Sequence, residues 1–182
     1  MLTAMLDATG RISAVARQAS ELALWHEGEP PGERVALPLT ALLERVAASS
    51  ALPRPVAVVV PPDVASRAVD TRQVEPLVAA VAALVVSAQR NAPDAPVALR
   101  ALANGSGVRV AIGREDAVTS LPPEVVERAE VPEAATRLFA AGGQGLSLIL
   151  ASSVLDRHGI SVGLIESSGV VVLRLPKDRG HQ

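Results

Sequence analysis

Gly142-Gly143-Gln144-Gly145-Leu146-Ser147-Leu148 introduces the helix and hairpin pattern of residues 145–175. Three glycines within four residues predict a loop. The apolar run after them predicts a helix over 145–157. Asp156-Arg157-His158-Gly159 closes the helix. Ser161–Ile165 and Val170–Leu175 then flank Ser167-Ser168-Gly169, which predicts a final hairpin.

Working outward, residues 114–144 are charged and Pro-containing, with short helices expected near 122–130 and 132–140. Before them, Val97, Leu99 and Ala101 share one strand face. Val108, Val110 and Ile112 share another, across the turn Asn104-Gly105-Ser106-Gly107. This alternation predicts an antiparallel hairpin. Val74, Leu77, Val78, Val81, Leu84, Val85 and Ala88 recur at helical spacing. Asp70 with Gln73 three residues on suggests the cap of that helix, and Asn91-Ala92-Pro93 its end. Val56–Val60 and Val64–Val69 are expected strands, and 38–49 an expected helix with Pro38 in its first turn. A first helix is expected over 5–26, with a stripe of small apolar residues, and a Pro/Gly linker after it, Glu27 to Arg34.

The expected fold class is therefore α/β, a two-layer α+β sandwich. A mixed, mostly antiparallel sheet is covered on one face by helices, with an extra N-terminal helix. The expected division is a helix and linker over 1–34, a main domain over 35–176 and a polar tail over 177–182.

Composition narrows the function. With 182 residues, 49% of them hydrophobic, the chain can bury a sizeable core, but one Trp, one Phe and no Tyr make that core aliphatic. A net charge of −2 and no basic, aromatic-rich patch give nucleic-acid binding little support. Without cysteine there are no thiolate metal sites, and His26, His158 and His181 lack ligand spacing. No run approaches the roughly 20 apolar residues of a membrane span. Met1-Leu2-Thr3-Ala4 does not open a signal peptide, so the expected location is the cytoplasm.

Three motifs resemble the histidine-kinase-like (GHKL, Bergerat-fold) ATPase domain of bacterial sensor kinases, over about residues 37–176. Leu77 to Pro93 resembles the asparagine-bearing N-box. Ala83 and Ser87 stand at its two Asn positions and Arg90 at its basic position. Asp116 to Glu124 resembles the first glycine box, D-x-G-x-G-[IL], with Val118 and Ser120 at the glycines and Leu121-Pro122-Pro123-Glu124 continuing the pattern. Gly143-Gln144-Gly145-Leu146-Ser147-Leu148 resembles the second box, G-x-G-L-G-L, with Ser147 at its last glycine. His158-Gly159 matches the pair that precedes the final hairpin.

The resemblance implies ATP and Mg²⁺ as ligands. Asp116 would read the adenine amine, Ser87 would stand where Mg²⁺ is ligated, and Arg90 with Gly143, Gly145, Leu146 and Ser147 would hold phosphate. Ala83 offers no ligand atom, and Ser87 offers a neutral hydroxyl, poorer than an Asn carbonyl for a hard cation. A β-branched Val118 resists the positive φ that glycine permits. The resemblance thus implies a degenerate ATP site and no assigned catalytic residue or metal ligand.

Blander readings stand beside these. Asp116 is then a solvated loop acid, Arg90 a surface arginine, the glycines a hinge, and His158 a helix-end histidine. Three functions fit: a pseudokinase signalling through protein contacts, the ATP-binding half of a split or truncated kinase, or an anti-sigma-like partner-switching regulator. Each expects a protein partner, namely a kinase, a response regulator or a transcription factor. Each is compatible with a homodimer built on the first helix. His26-Glu27 does not match a phosphoacceptor box.

Overall fold

The computed structural model describes residues 33–104, 107–127 and 145–176. The elements run β1 (Val35–Pro38), α1 (Leu39–Ala47), β2 (Ala57–Val59), α2 (Pro62–Ala65), β3 (Ala68–Thr71), α3 (Val74–Asn91), β4 (Val97–Asn104), β5 (Gly107–Arg114), α4 (Glu115–Ser120), α5 (Pro123–Glu127), α6 (Gly145–Arg157), β6 (Ser161–Ile165) and β7 (Val170–Arg174). The expected helices over 5–26 and 132–140, the tail from Lys177, Gly142 and Gly143 lie outside the described residues.

Five strands form one sheet in the order β2-β4-β5-β7-β6, and β1 pairs with β3 in a separate two-stranded sheet. Only β2 and β4 run parallel; the other neighbours are antiparallel. The sheet is thus mixed and mostly antiparallel, as the hairpin patterns predict. Strand alternation divides its side chains. Val97, Leu99, Ala101, Val108, Val110, Ile112, Val171 and Leu173 face the larger aliphatic core with the buried sides of α1, α3 and α6. The opposite face carries a smaller cluster. There Ala98, Leu102, Ala111, Val170 and Val172 meet Val118 of α4 and Val126 of α5.

Three local expectations are corrected. Val64–Val69 is not one strand. Pro62 begins the short helix α2, which buries Val64, and the chain becomes a strand only at Ala68. Proline's fixed φ suits a first helical turn, and its missing N–H is no loss there. Asp70 does not cap α3; it pairs with Ala36 inside β3, and Gln73 holds the cap position. The Thr71 hydroxyl instead accepts the Gln73 N–H at 3.0 Å, turning the chain into the helix. Pro38 ends β1, and the helix expected from 38 starts at Leu39.

The end of α6 explains His158-Gly159. Gly159 has φ +68°, a conformation glycine adopts without a Cβ penalty. Its N–H donates to Asp156 O and that of Ile160 to Leu155 O, both at 2.9 Å. This 6→1 and 5→2 pair is a Schellman ending. His158 Nδ1 lies 2.7 Å from Val154 O, so it carries the hydrogen; in the neutral ring Nε2 then accepts from the Thr71 hydroxyl at 2.8 Å.

That bond sets the layout of the helical layer. Thr71 lies just before α3 and His158 just after α6, and the two helices pack together. They therefore run antiparallel. α6 has 13 residues. At ~1.5 Å per residue its first turn reaches back to the level of Ser87 on α3.

Candidate functional site

The last turns of α3 carry two of the candidate residues. Ser87 is buried at 8% exposure, Arg90 is exposed, and Ala83 is half-buried. Positions 83, 87 and 90 follow one helix stripe at spacings of four and three. Because α6 runs back along α3, the last turns of α3 and the start of α6 lie at one end of the helical layer, where Gly145 and Leu146 open the helix and Ser147 is half-buried. Gly143 lies outside the described residues.

The end of α3 is held by a residue the sequence did not single out. The Arg54 guanidinium donates to four backbone carbonyls: Gln89 O at 2.8 Å, Ala92 O at 2.9 Å, Pro93 O at 2.5 Å and Ala95 O at 3.3 Å. Gln89, buried at 3% exposure, donates its Nε2 back to Arg54 O at 2.7 Å. A cation on the carbonyls of a last helical turn offsets the negative end of the helix dipole. No spacing rule marks such an arginine, because its partners are all main chain.

Asp116 reaches the same end of the molecule by a different route. β4 starts shortly after α3, at Val97. The Glu115 N–H donates to Pro96 O at 2.9 Å, which places the start of α4 beside the start of β4. Asp116 therefore lies at the end of the fold that also carries Arg90. Its carboxylate is exposed and paired with the Arg114 guanidinium, Nε to Oδ1 at 3.1 Å and Nη2 to Oδ2 at 2.5 Å. The Arg114 hydrogen bonds, helped by the Ala117 N–H, hold this carboxyl below the usual aspartate value.

The residues after Asp116 depart from a glycine turn. Residues 115–120 form a helical turn and a half, and no non-glycine residue described has positive φ. Val118 is fully buried in the smaller cluster. A Cβ placed on Gly113 would lie 3.0 Å from Val170 Cγ2 of β7 and 3.5 Å from Val118 Cγ2, so the glycine chiefly leaves room for Val170. Arg100 of β4 fastens the end of α4 by donating to Val118 O at 3.1 Å and Thr119 O at 2.8 Å. Arg109 of β5 does the same for α5 through Val126 O. Ser120, at the second glycine position, turns its hydroxyl back onto Asp116 O at 2.8 Å.

The fit of a nucleotide can be weighed on these atoms. No group of three or more His, Asp or Glu able to hold a metal occurs among the described residues. Ala83 has no donor atom, and Ser87 supplies one neutral oxygen. The Val118 side chain lies in the smaller cluster, on the sheet face opposite the layer of α1, α3 and α6.

No protein-family model matches the chain, and no curated protein does. Solved structures do match. Histidine kinase AdeS of Acinetobacter baumannii superposes with a TM-score of 0.61 at 10% identity, over 98% of this chain and 84% of its own. Full-length ShkA, solved in complex with AMPPNP, gives 0.55 at 16% identity, over 94% of this chain and 36% of its own. The chain thus spans about a third of ShkA. The ATP binding domain of PrrB from Mycobacterium tuberculosis gives 0.48 at 24% identity, over 79% of this chain and 97% of its own. The likeness is one of fold: the chain shares its fold with the histidine kinases AdeS and ShkA. No helix among the described residues is long and apolar enough to cross a membrane.

Proposed function

We propose that this chain is a signal-transduction module that keeps the histidine-kinase ATPase scaffold, has lost its nucleotide site, and acts through protein contacts. The observation that carries this reading is Val118. It stands at the first glycine of the box, lies inside a helix where the box would turn, and is buried against the sheet. The metal side agrees, with Ala83 and Ser87 at the Asn positions. Residues 35–176 form the scaffold and 1–34 a dimerising helix and linker. The partner is a kinase, response regulator or transcription factor in the cytoplasm.

Calorimetric titration with ATP and Mg²⁺ tests the proposal. No saturable heat is expected up to millimolar nucleotide. Micromolar, Mg²⁺-dependent binding would overturn it.

A second reading is the ATP-binding catalytic domain of a split or truncated histidine kinase. It is favoured by the arrangement of Ser87, Arg90, Asp116 and the start of α6 at one end of the fold. ShkA, of similar fold, was solved with AMPPNP. In this reading Asp116 holds the base, and Arg90 with Gly143, Gly145, Leu146 and Ser147 holds phosphate. Protection of 145–148 from hydrogen exchange by ATP supports it, and an unchanged rate there removes it.

A further inference from the structure

We infer that Arg54 is the positioning residue of the candidate site, joining the α3 end that carries Arg90 to the β4–α4 junction that carries Asp116. Arg54 touches neither residue. Its guanidinium spans the whole connection between α3 and β4, from Gln89 O through Ala92 O and Pro93 O to Ala95 O. The next residue, Pro96, accepts the Glu115 N–H that opens α4. Four carbonyls, one guanidinium and one returning Gln89 amide thus form a continuous path from α3 to Asp116.

The geometry requires arginine. Its planar fork presents separate N–H groups in fixed directions, and here Nη1 serves Pro93 and Ala95 while Nη2 serves Gln89 and Ala92. A lysine ammonium is a single point on a flexible stem and cannot span both pairs. The flanking Pro53 and Pro55 restrict the backbone on either side of Arg54. Gln89 is 3% exposed, so the return bond to Arg54 O is made away from water, where losing it costs most.

The geometry of the α3 end and the Asp116 junction does not depend on nucleotide, and the second reading supplies only the ligand used as a probe. Hydrogen exchange on the full chain separates the two, using Arg54→Lys, Arg54→Ala and Gln89→Met. Without ligand, Arg54→Ala is expected to speed exchange about tenfold or more at amides 92, 94 and 95 and also at 115–117, leaving β6 and β7 unchanged. Arg54→Lys is expected to recover less than half of that protection. Gln89→Met, which keeps the guanidinium, gives a smaller effect over the same residues.

Faster exchange confined to 92, 94 and 95, or a wild-type pattern with lysine, would overturn the positioning role. If Arg54→Ala unfolds globally, the Arg54→Lys and Gln89→Met patterns decide by the same criterion. Titration of wild type and Arg54→Lys with ATP then adds an independent readout. Binding by wild type that falls at least tenfold in Arg54→Lys extends the role to ligand. Equal affinity limits it to the ligand-free geometry, and binding by neither ends the second reading while leaving the exchange result standing.

Discussion

Val118→Ala is the most direct probe of the covered sheet face. Val118 has 0% exposure, so its whole side chain is removed from water on folding. Deleting two carbons forfeits about 1.6 kcal/mol at ~0.8 kcal/mol each. The vacated space, walled by Leu102, Ala111, Val170 and Val172 on a rigid sheet, closes only in part and adds up to about 1 kcal/mol. Alanine returns about 0.5 kcal/mol through its higher helix propensity in α4. The net loss is about 2 kcal/mol. In urea unfolding, with a slope of ~1–3 kcal/mol per molar, the midpoint drops by about 1 M. Ser120→Ala, at an exposed position in the same helix, should change stability by less than about 0.5 kcal/mol. If Val118→Ala costs no more than Ser120→Ala, α4 is not seated on the sheet.

Two further perturbations read other parts of the fold. Thr71→Val keeps the shape of a residue at 2% exposure but strips the hydroxyl from both the Gln73 N–H and His158 Nε2. A loss of about 1–3 kcal/mol is expected in thermal unfolding, and a change below about 0.5 kcal/mol would show that the bond does not tie α3 to α6. Arg114→Ala should raise the titration midpoint of Asp116, followed by carboxyl NMR, toward the ordinary value of 3.8. The native carboxyl sits below its unfolded value. Its contribution is therefore present above that unfolded value and lost as pH falls through the lower native one. Stability near neutral pH should not distinguish the variant by pH slope. A midpoint that stays put would show the pair is not formed in solution.

Elements with long or clean periodicity were legible in the sequence, and the structure keeps them. Val74 to Ala88 show the α3 face, and Val97 to Ile112 show the β4–β5 hairpin, because several buried residues repeat the same spacing. Short elements were not legible. β1 and β3 have four residues each, too few for a period, and exist by pairing with one another. α4 is shorter than a helix that holds in water on its own. Its conformation comes from Val118 beneath it and Arg100 at its end, both held by residues distant in sequence. The candidate site was legible as positions and not as geometry. Nothing in Leu52-Pro53-Arg54-Pro55 shows that Arg54 grips the far end of α3.

The retained and replaced motif residues divide by the work each does in the scaffold. Gly159 is kept where its φ of +68° ends α6, and His158 where it ties that end to Thr71. Gly145 stands where α6 must begin. Each of these has a use in folding whether or not a nucleotide binds. An Asn at position 83 or 87, or a glycine at 118, has no comparable use. Glycine in α4 would cost helix propensity and empty the cluster below it. At those positions the chain carries residues that favour packing: Ala83 in a good helix former's place, Ser87 small enough to be buried, and Val118 filling the second face. A scaffold still working as an ATPase would have to pay for its site with local instability at 118. In this chain the apolar side chains stand where stability alone would put them, which supports the proposed module acting through contacts with other proteins.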